Sequence, residues 1–187
     1  MAAISAQPVF YYDLGSPDCY LAAERIISDL PVVPEWEPVL GTQIGASWPA
    51  PDRDRIGRIA RQAELQSVRW PRTWPPDSEL AMLAATYAKR VGRAVAFSLA
   101  AFRLQFAGGR DLGLQSTILL AGAACEMHPK AVLKGIGLRS VSKALHDAGE
   151  RARAVGAETL PAIQVADELF AGPRAVELAG ATLAVRS

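Results

Sequence analysis

The stretch Val9-Phe10-Tyr11-Tyr12-Asp13-Leu14-Gly15-Ser16-Pro17-Asp18-Cys19-Tyr20-Leu21-Ala22 decides how the rest of the chain is read. An apolar, aromatic run of strand type stops at Gly15, and a helical pattern begins at Pro17. Ser16 is of the residue type that accepts a hydrogen bond from the first free N–H groups of a helix. Pro17 suits the first helical position, where its missing N–H costs nothing. The spacing therefore predicts strand, tight turn and helix, with the Ser16 and Cys19 side chains at a helix N-terminus. Unpaired N–H groups and the positive end of the helix dipole favour an anion there, a thiolate included.

On either side of this stretch the pattern is readable. Residues 8–14 read as a buried strand. Residues 17–30 read as a helix with Ala23, Ile26, Ile27 and Leu30 on one face, ended by Pro31 and Pro34. Residues 35–40 suit a second strand, alternating Trp36, Pro38 and Leu40 against Glu35, Glu37 and Val39. Pro38 confines it to a sheet edge or a bulge. Together these make a βαβ unit. Residues 41–51 are loop and carry Trp48. A helix is expected over 52–67, with Ile56, Ile59, Ala60 and Ala63 inward. Residues 68–76 are irregular and hold Trp70 and Trp74.

From Asp77 onward helices dominate. Leu80, Leu83, Ala84, Tyr87 and Val91 recur at helical spacing, with Asp77 or Ser78 as the cap. Val95, Leu99, Phe102 and Phe106 do the same, and Gly108-Gly109 breaks that second helix. Two short helices are expected over 115–127 and 129–135, and a longer one, marked by Val141, Leu145, Ala148, Ala152 and Val155, up to 156. Strand character returns over 162–166 and 169–170, followed by a helix over 173–180.

With 187 residues, half of them hydrophobic, the chain is of a size for one domain with a sizeable core. A formal net charge of +1 and scattered arginines exclude a polyanion-binding surface, so no nucleic acid partner is expected. No apolar run is long enough to span a membrane. The first residues lack the basic and apolar segments of a signal peptide. Two cysteines, Cys19 and Cys125, are too few for a disulfide framework. A cytoplasmic protein with reduced thiols is the expectation.

These blocks resemble the DsbA-like branch of the thioredoxin superfamily. That branch places Cys-x-x-Cys at such a strand-to-helix turn, where this chain has Ser16-Pro17-Asp18-Cys19. Serine before proline is the pattern of the kappa-class glutathione transferases and the 2-hydroxychromene-2-carboxylate isomerases. The segment from Thr159-Leu160-Pro161 to Glu168-Leu169-Phe170-Ala171-Gly172 is similar to their "-Val-Pro-Thr- … -Glu-Leu-Phe-x-Gly-" block. The resemblance spans nearly the whole chain and is carried by its two ends. It implies an α/β thioredoxin fold with a large α-helical insertion, in a single DsbA-like domain over 1–187. The core falls at about 8–45 and 157–187, and the insertion at about 50–156.

The resemblance also implies chemistry. In those relatives the serine hydroxyl hydrogen-bonds the sulfur of bound glutathione and holds it as a thiolate, a role that would fall to Ser16. Cys19 stands where the second cysteine of Cys-x-x-Cys would be, and with Ser16 completes the expected catalytic pair. Pro161 takes the place of the cis-proline opposite the turn, and Leu160 that of the residue that offers its backbone to a peptide-like ligand. Pro17, Leu160, Pro161, Gly172 and Arg174 are the expected contacts to glutathione or another low-molecular-weight thiol. The partner implied is a small apolar or aromatic electrophile, and the assembly a homodimer.

Bland readings stand beside these. Ser16 is equally well an N-cap, and Cys19 a buried small hydrophobe. Asp13 either polarises the turn or accepts from backbone donors at a strand end. Trp48, Trp70 and Trp74 either line an acceptor pocket or fill a core or interface. His128 and His146 read as surface or capping residues, and Cys125 as helix packing. The chain also departs from the relatives. Gly172-Pro173-Arg174 replaces a Ser-Asp or Gln-Asp pair that binds the γ-glutamyl end of glutathione. A basic residue of the first insertion helices has only Arg53, Arg55 or Arg58 as stand-ins, and Asp77 lies where an Asn is usual. Three functions follow: a thiol-dependent isomerase or transferase, a redox-silent DsbA-like binding domain, or a single-cysteine thiol-disulfide oxidoreductase using Cys19.

Overall fold

The computed structural model describes residues 7–186. β1 (Val9–Tyr12) leads through the expected turn into α1 (Pro17–Asp29), and β2 (Glu35–Pro38) follows. A short 3-10 turn at Gly41–Ile44 precedes α2 (Arg53–Gln62). Then come α3 (Glu79–Arg90), α4 (Ala94–Phe106), α5 (Gln115–Ala124), α6 (Pro129–Ile136) and α7 (Arg139–Ala154). The chain closes with β3 (Ala162–Val165), β4 (Glu168–Ala171) and α8 (Ala175–Arg186).

The sheet order is β2-β1-β3-β4. β1 and β2 pair in parallel, with Phe10 opposite Trp36, while β3 runs antiparallel to both β1 and β4. Pro38, which cannot donate to a ladder, lies on an edge strand as its chemistry requires. This is a thioredoxin-like βαβ–ββα arrangement interrupted by helices α2 to α7.

Several elements differ from the sequence reading. The helix expected over 52–67 ends at Gln62, because Glu64 takes a left-handed conformation with φ 55°. The last helix continues well past 180, to Arg186. Ile27 is 49% exposed: α1 turns Cys19, Ala22, Ala23, Ile26 and Leu30 inward and leaves Ile27 outside. The buried face of α3 is Ala81, Met82, Ala84, Ala85 and Ala88, not the leucines, and Leu80, Leu83 and Tyr87 are half-buried. The small side chains let α3 lie close to β2, α4, α6 and α7 at once. Val91 falls beyond the end of α3 and is exposed.

Glu37 also breaks the expected alternation. It is 8% exposed on β2, and a carboxylate there needs cations. Lys89 of α3 supplies one at 2.8 Å and Arg151 of α7 another at 3.1 Å, while Lys89 also reaches Glu35 at 2.7 Å. The aromatic core beneath the sheet stacks Phe10 on Tyr12, with Trp36 edge-on to both. Tyr20 of α1 continues this core to Phe102 and Phe106 of α4.

The insertion holds the turn after β1 directly. The Leu14 N–H donates to the Met82 thioether of α3 at 3.2 Å, and the Leu14 carbonyl accepts from Gln105 Nε2 of α4 at 3.1 Å. Tyr12 and Ser98 share a buried hydroxyl–hydroxyl hydrogen bond of 2.6 Å. Both backbone polar groups of Leu14 are thus satisfied by side chains remote in sequence, which a buried turn requires.

Candidate functional site

Ser16 is the N-cap of α1. Its backbone is extended, its N–H donates to the Asp13 carbonyl at 3.1 Å, and its Oγ accepts from the Cys19 N–H at 3.2 Å. Pro17 occupies the first helical position, as its lack of an N–H allows. The capping reading of Ser16 is therefore a fact of the structure. Its hydroxyl lies at the positive end of the helix, but the residue is only 2% exposed.

Cys19 is fully buried on the inner face of α1. Burial pushes its thiol far above the ordinary range, and the offsetting hydrogen bonds from Ser16 and the Asp13 backbone are smaller. It remains a protonated thiol at neutral pH, so an attacking thiolate at this position has no support in the geometry. Cys125, also buried, donates its thiol back to the Ala121 and Gly122 carbonyls of α5. Both cysteines are free.

The second block meets the first through the sheet. Tyr11 of β1 faces Ala162 of β3, so the antiparallel register sets Leu160 and Pro161 beside the carboxyl end of β1, where the turn begins. The Leu160–Pro161 peptide bond is cis. The Pro161 carbonyl accepts from the Gly172 N–H at 2.8 Å, and Gly172 takes φ 86°, a conformation glycine adopts freely. Arg174 lies on the surface and is held by Glu177, with contacts of 2.9 and 3.1 Å. Among the stand-in cations, Arg55 is engaged in a two-point pair with Asp18 (2.8 and 2.9 Å), and Arg53 lies 4.8 Å over the Trp70 ring. Arg58 is exposed.

A cavity of about 270 Å³ opens next to the turn. Its apolar walls are Leu40, Trp48, Pro49, Pro75 and Pro76; its polar lining is Asp13, Thr42, Ser47, Asp77, Ser78 and Glu79. Ser16 does not line it. Trp48 lies across Gly15 and Gly41: a Cβ at Gly15 would come within 3.2 Å of the ring, and one at Gly41 within 2.7 Å. Trp74 Nε1 donates to the Trp48 carbonyl at 3.0 Å and so ties the two halves of the rim together. Trp70 packs edge-on against Trp74 and Phe106, outside the cavity.

Asp13 forms the floor. One carboxylate oxygen accepts from the Gly15 N–H at 2.8 Å and the other from the Gly41 N–H at 2.7 Å. Burial holds its carboxyl above the usual range. These two hydrogen bonds and one to Ser78 oppose the shift, and the nearby Asp77 charge adds to it. Ser78 and the three prolines of the rim escaped the sequence reading as site residues, and Asp77 figured there only as a cap and as standing where an Asn is usual. A signal was present: Trp48, Trp70 and Trp74 are each followed by proline, which stiffens an aromatic wall.

His128 caps α6, its Nδ1 accepting from the Lys130 N–H, and His146 is exposed. Among the described residues no group of His, Cys, Asp and Glu is arranged to hold a metal ion. No helix among them is long and apolar enough to cross a membrane.

No family model matches the chain, and no curated protein matches it. Solved structures do. A 2-hydroxychromene-2-carboxylate isomerase matches with a TM-score of 0.80 at 16% identity, over 95% of this chain and 95% of that one. The cytosolic disulfide reductase DsbM from Pseudomonas aeruginosa, solved with GSH, matches with a TM-score of 0.66 at 15% identity, over 96% and 98%. The DsbA disulfide interchange protein from Klebsiella pneumoniae matches with a TM-score of 0.58 at 12% identity, over 99% and 93%. With the sheet order, the strand-to-helix turn and the interposed helices, these matches show that the chain has the DsbA-like thioredoxin fold with a helical insertion.

Proposed function

We propose that the chain is a thiol-dependent isomerase or transferase acting on a small apolar or aromatic electrophile. The observation that carries this reading is the aromatic-walled cavity next to the α1 N-terminus, in a chain whose own two cysteines are both buried. Sulfur chemistry at this turn then needs a thiol from outside. The fit of such a group divides along its length. The α1 N-terminus with the Ser16 hydroxyl suits a thiolate, and the backbone of Leu160 beside cis-Pro161 suits a peptide-like body. The corner at Gly172-Pro173-Arg174 does not suit the amine end of glutathione, since it lacks an acid and Arg174 is taken by Glu177. A low-molecular-weight thiol other than glutathione is thus included in the proposal.

When bound, the thiol supplies a sulfur nucleophile that adds to an unsaturated acceptor and either leaves again or stays. The chain's residues do the rest. Ser16 donates its hydroxyl to the sulfur and, with the positive end of the α1 dipole, lowers the thiol's pKa. Trp48 and the rim prolines hold the acceptor against stiff apolar walls.

Thermal stabilisation across a panel of small thiols, in the wild type and Ser16→Ala, tests this. Binding to the native state raises the midpoint by mass action. A shift with one thiol, weakened in Ser16→Ala relative to that variant's own baseline, is the expected result. No shift with any thiol defeats the reading. That outcome leaves the redox-silent binding domain, which the occupied Arg174 favours.

A further inference from the structure

The cavity carries more information than its size. An apolar cavity of about 150 Å³ takes benzene, so the volume of about 270 Å³ here admits a phenylalkyl or bicyclic molecule. Every charged residue that lines it is an acid: Asp13, Asp77 and Glu79. Thr42, Ser47 and Ser78 add only hydroxyls. Among the described residues no lysine, arginine or histidine contributes to the lining.

The acids are not neutralised by neighbours. Asp13 accepts from two backbone N–H groups and from Ser78, and no cation stands beside it among the described residues. Among the described residues Asp77 accepts only from the Glu79 N–H, at 3.1 Å. Neither Asp77 nor Glu79 forms an ion pair among the described residues. Arg139 and Lys143 share a neighbouring cavity with Leu40 and Glu79, and Lys143 is held by Asp147 at 2.6 Å. Trp48 is the aromatic residue of the lining, a residue type that attracts cations. An occupant with a carboxylate would meet three acids and no cation; one with an ammonium would meet acids and hydroxyl oxygens able to accept from it.

We propose that this cavity selects a small aromatic or alicyclic molecule carrying a protonated amine and discriminates against the matching carboxylic acid. The assignment rests on the reading of the cavity as the acceptor pocket, and it names the class of molecule that enters.

The test is a matched series at pH 7: 2-phenylethylamine, 2-phenylethanol and 3-phenylpropionate, titrated into the full chain by calorimetry. The variants are Trp48→Ala and the double variant Asp77→Asn with Glu79→Gln. Asn at 77 keeps the oxygen that accepts from the Glu79 N–H, so the start of α3 is preserved. The amine is expected to bind about tenfold tighter than the acid, as partly exposed charge pairs in an apolar setting allow. The double variant should erase most of that preference, and Trp48→Ala should weaken the amine and the alcohol together. Equal or tighter binding of the acid, no binding by any of the three, or a preference unchanged in the double variant overturns the assignment. The thiol panel, run on the same samples, keeps the two readings apart. Thiol stabilisation without amine preference defeats the amine assignment alone; amine preference without thiol stabilisation defeats the thiol reading alone.

Discussion

The α1 N-terminus and the Asp13 cavity lie a few residues apart and have opposite character. At the helix end, Ser16 caps, Cys19 is sealed, and the local hydrogen bonds are made within the turn. At the cavity, carboxylates face open space between proline-stiffened walls. The difference teaches that two adjoining stretches of one turn can divide their tasks, the first lining an open cavity and the second ordering backbone groups at a helix end.

Substitutions can test how deep that contrast runs. The largest effect is expected from Met82→Ala. Met82 is fully buried and its sulfur is the acceptor for Leu14, so the loss is about 2–5 kcal/mol of stability, read by urea unfolding. A loss confined to a few tenths would mean that the turn does not depend on the insertion.

Asp13→Asn comes next and has a pH signature. The carboxyl of Asp13 is raised in the folded protein, chiefly by burial. The native state therefore holds this proton more tightly than the unfolded chain does. The stability it contributes is fully present below the unfolded value of about 3.9 and is lost as pH rises through the folded value. Unfolding curves from pH 4 to 7 should show the wild type losing ground against Asp13→Asn as pH rises. A pH-independent gap would show that burial does not govern this group.

Cys19 sharpens the contrast from the other side. Its thiol is sealed and protonated, so a thiol-specific reagent should label it only at the rate of opening. Labelling of native protein within minutes, kept in Cys125→Ala, would restore a reactive role. Smallest of all is Arg174→Ala. The Arg174–Glu177 pair is solvent-exposed, and no change in the thermal midpoint is expected. A loss of thiol-induced stabilisation in that variant would instead place a ligand's carboxylate at the Gly172 corner.

The parts of this molecule that were readable in the sequence are those set by local chemistry. Ser16-Pro17 marks the start of α1 to the residue, because capping is decided within one turn. Pro38 marks an edge strand for the same kind of reason. The thioredoxin fold with its helical insertion followed from the two end blocks. What was not readable depends on distant partners. Glu37 could not be called buried without Lys89 and Arg151 beside it. The alanines of α3 recur at helical spacing just as its leucines do, and the elements that crowd the helix decide which of the two faces turns inward. The cavity draws on segments around 13, 40–49 and 75–79, and no single stretch announces it. Only the repeated Trp-Pro pairs hinted at a rigid rim.

The double tether on Leu14 bears on how such a chain can be re-engineered. Its amide is answered by Met82 and its carbonyl by Gln105, one from each of two insertion helices. A minimal thioredoxin made by splicing out the helices would leave both groups in a dry turn with nothing to receive them. Transplanting the helices of a relative would succeed only if that donor brought an acceptor and an amide to the same two spots. The insertion is thus no detachable accessory, and shuffling it between scaffolds means carrying the turn along with it.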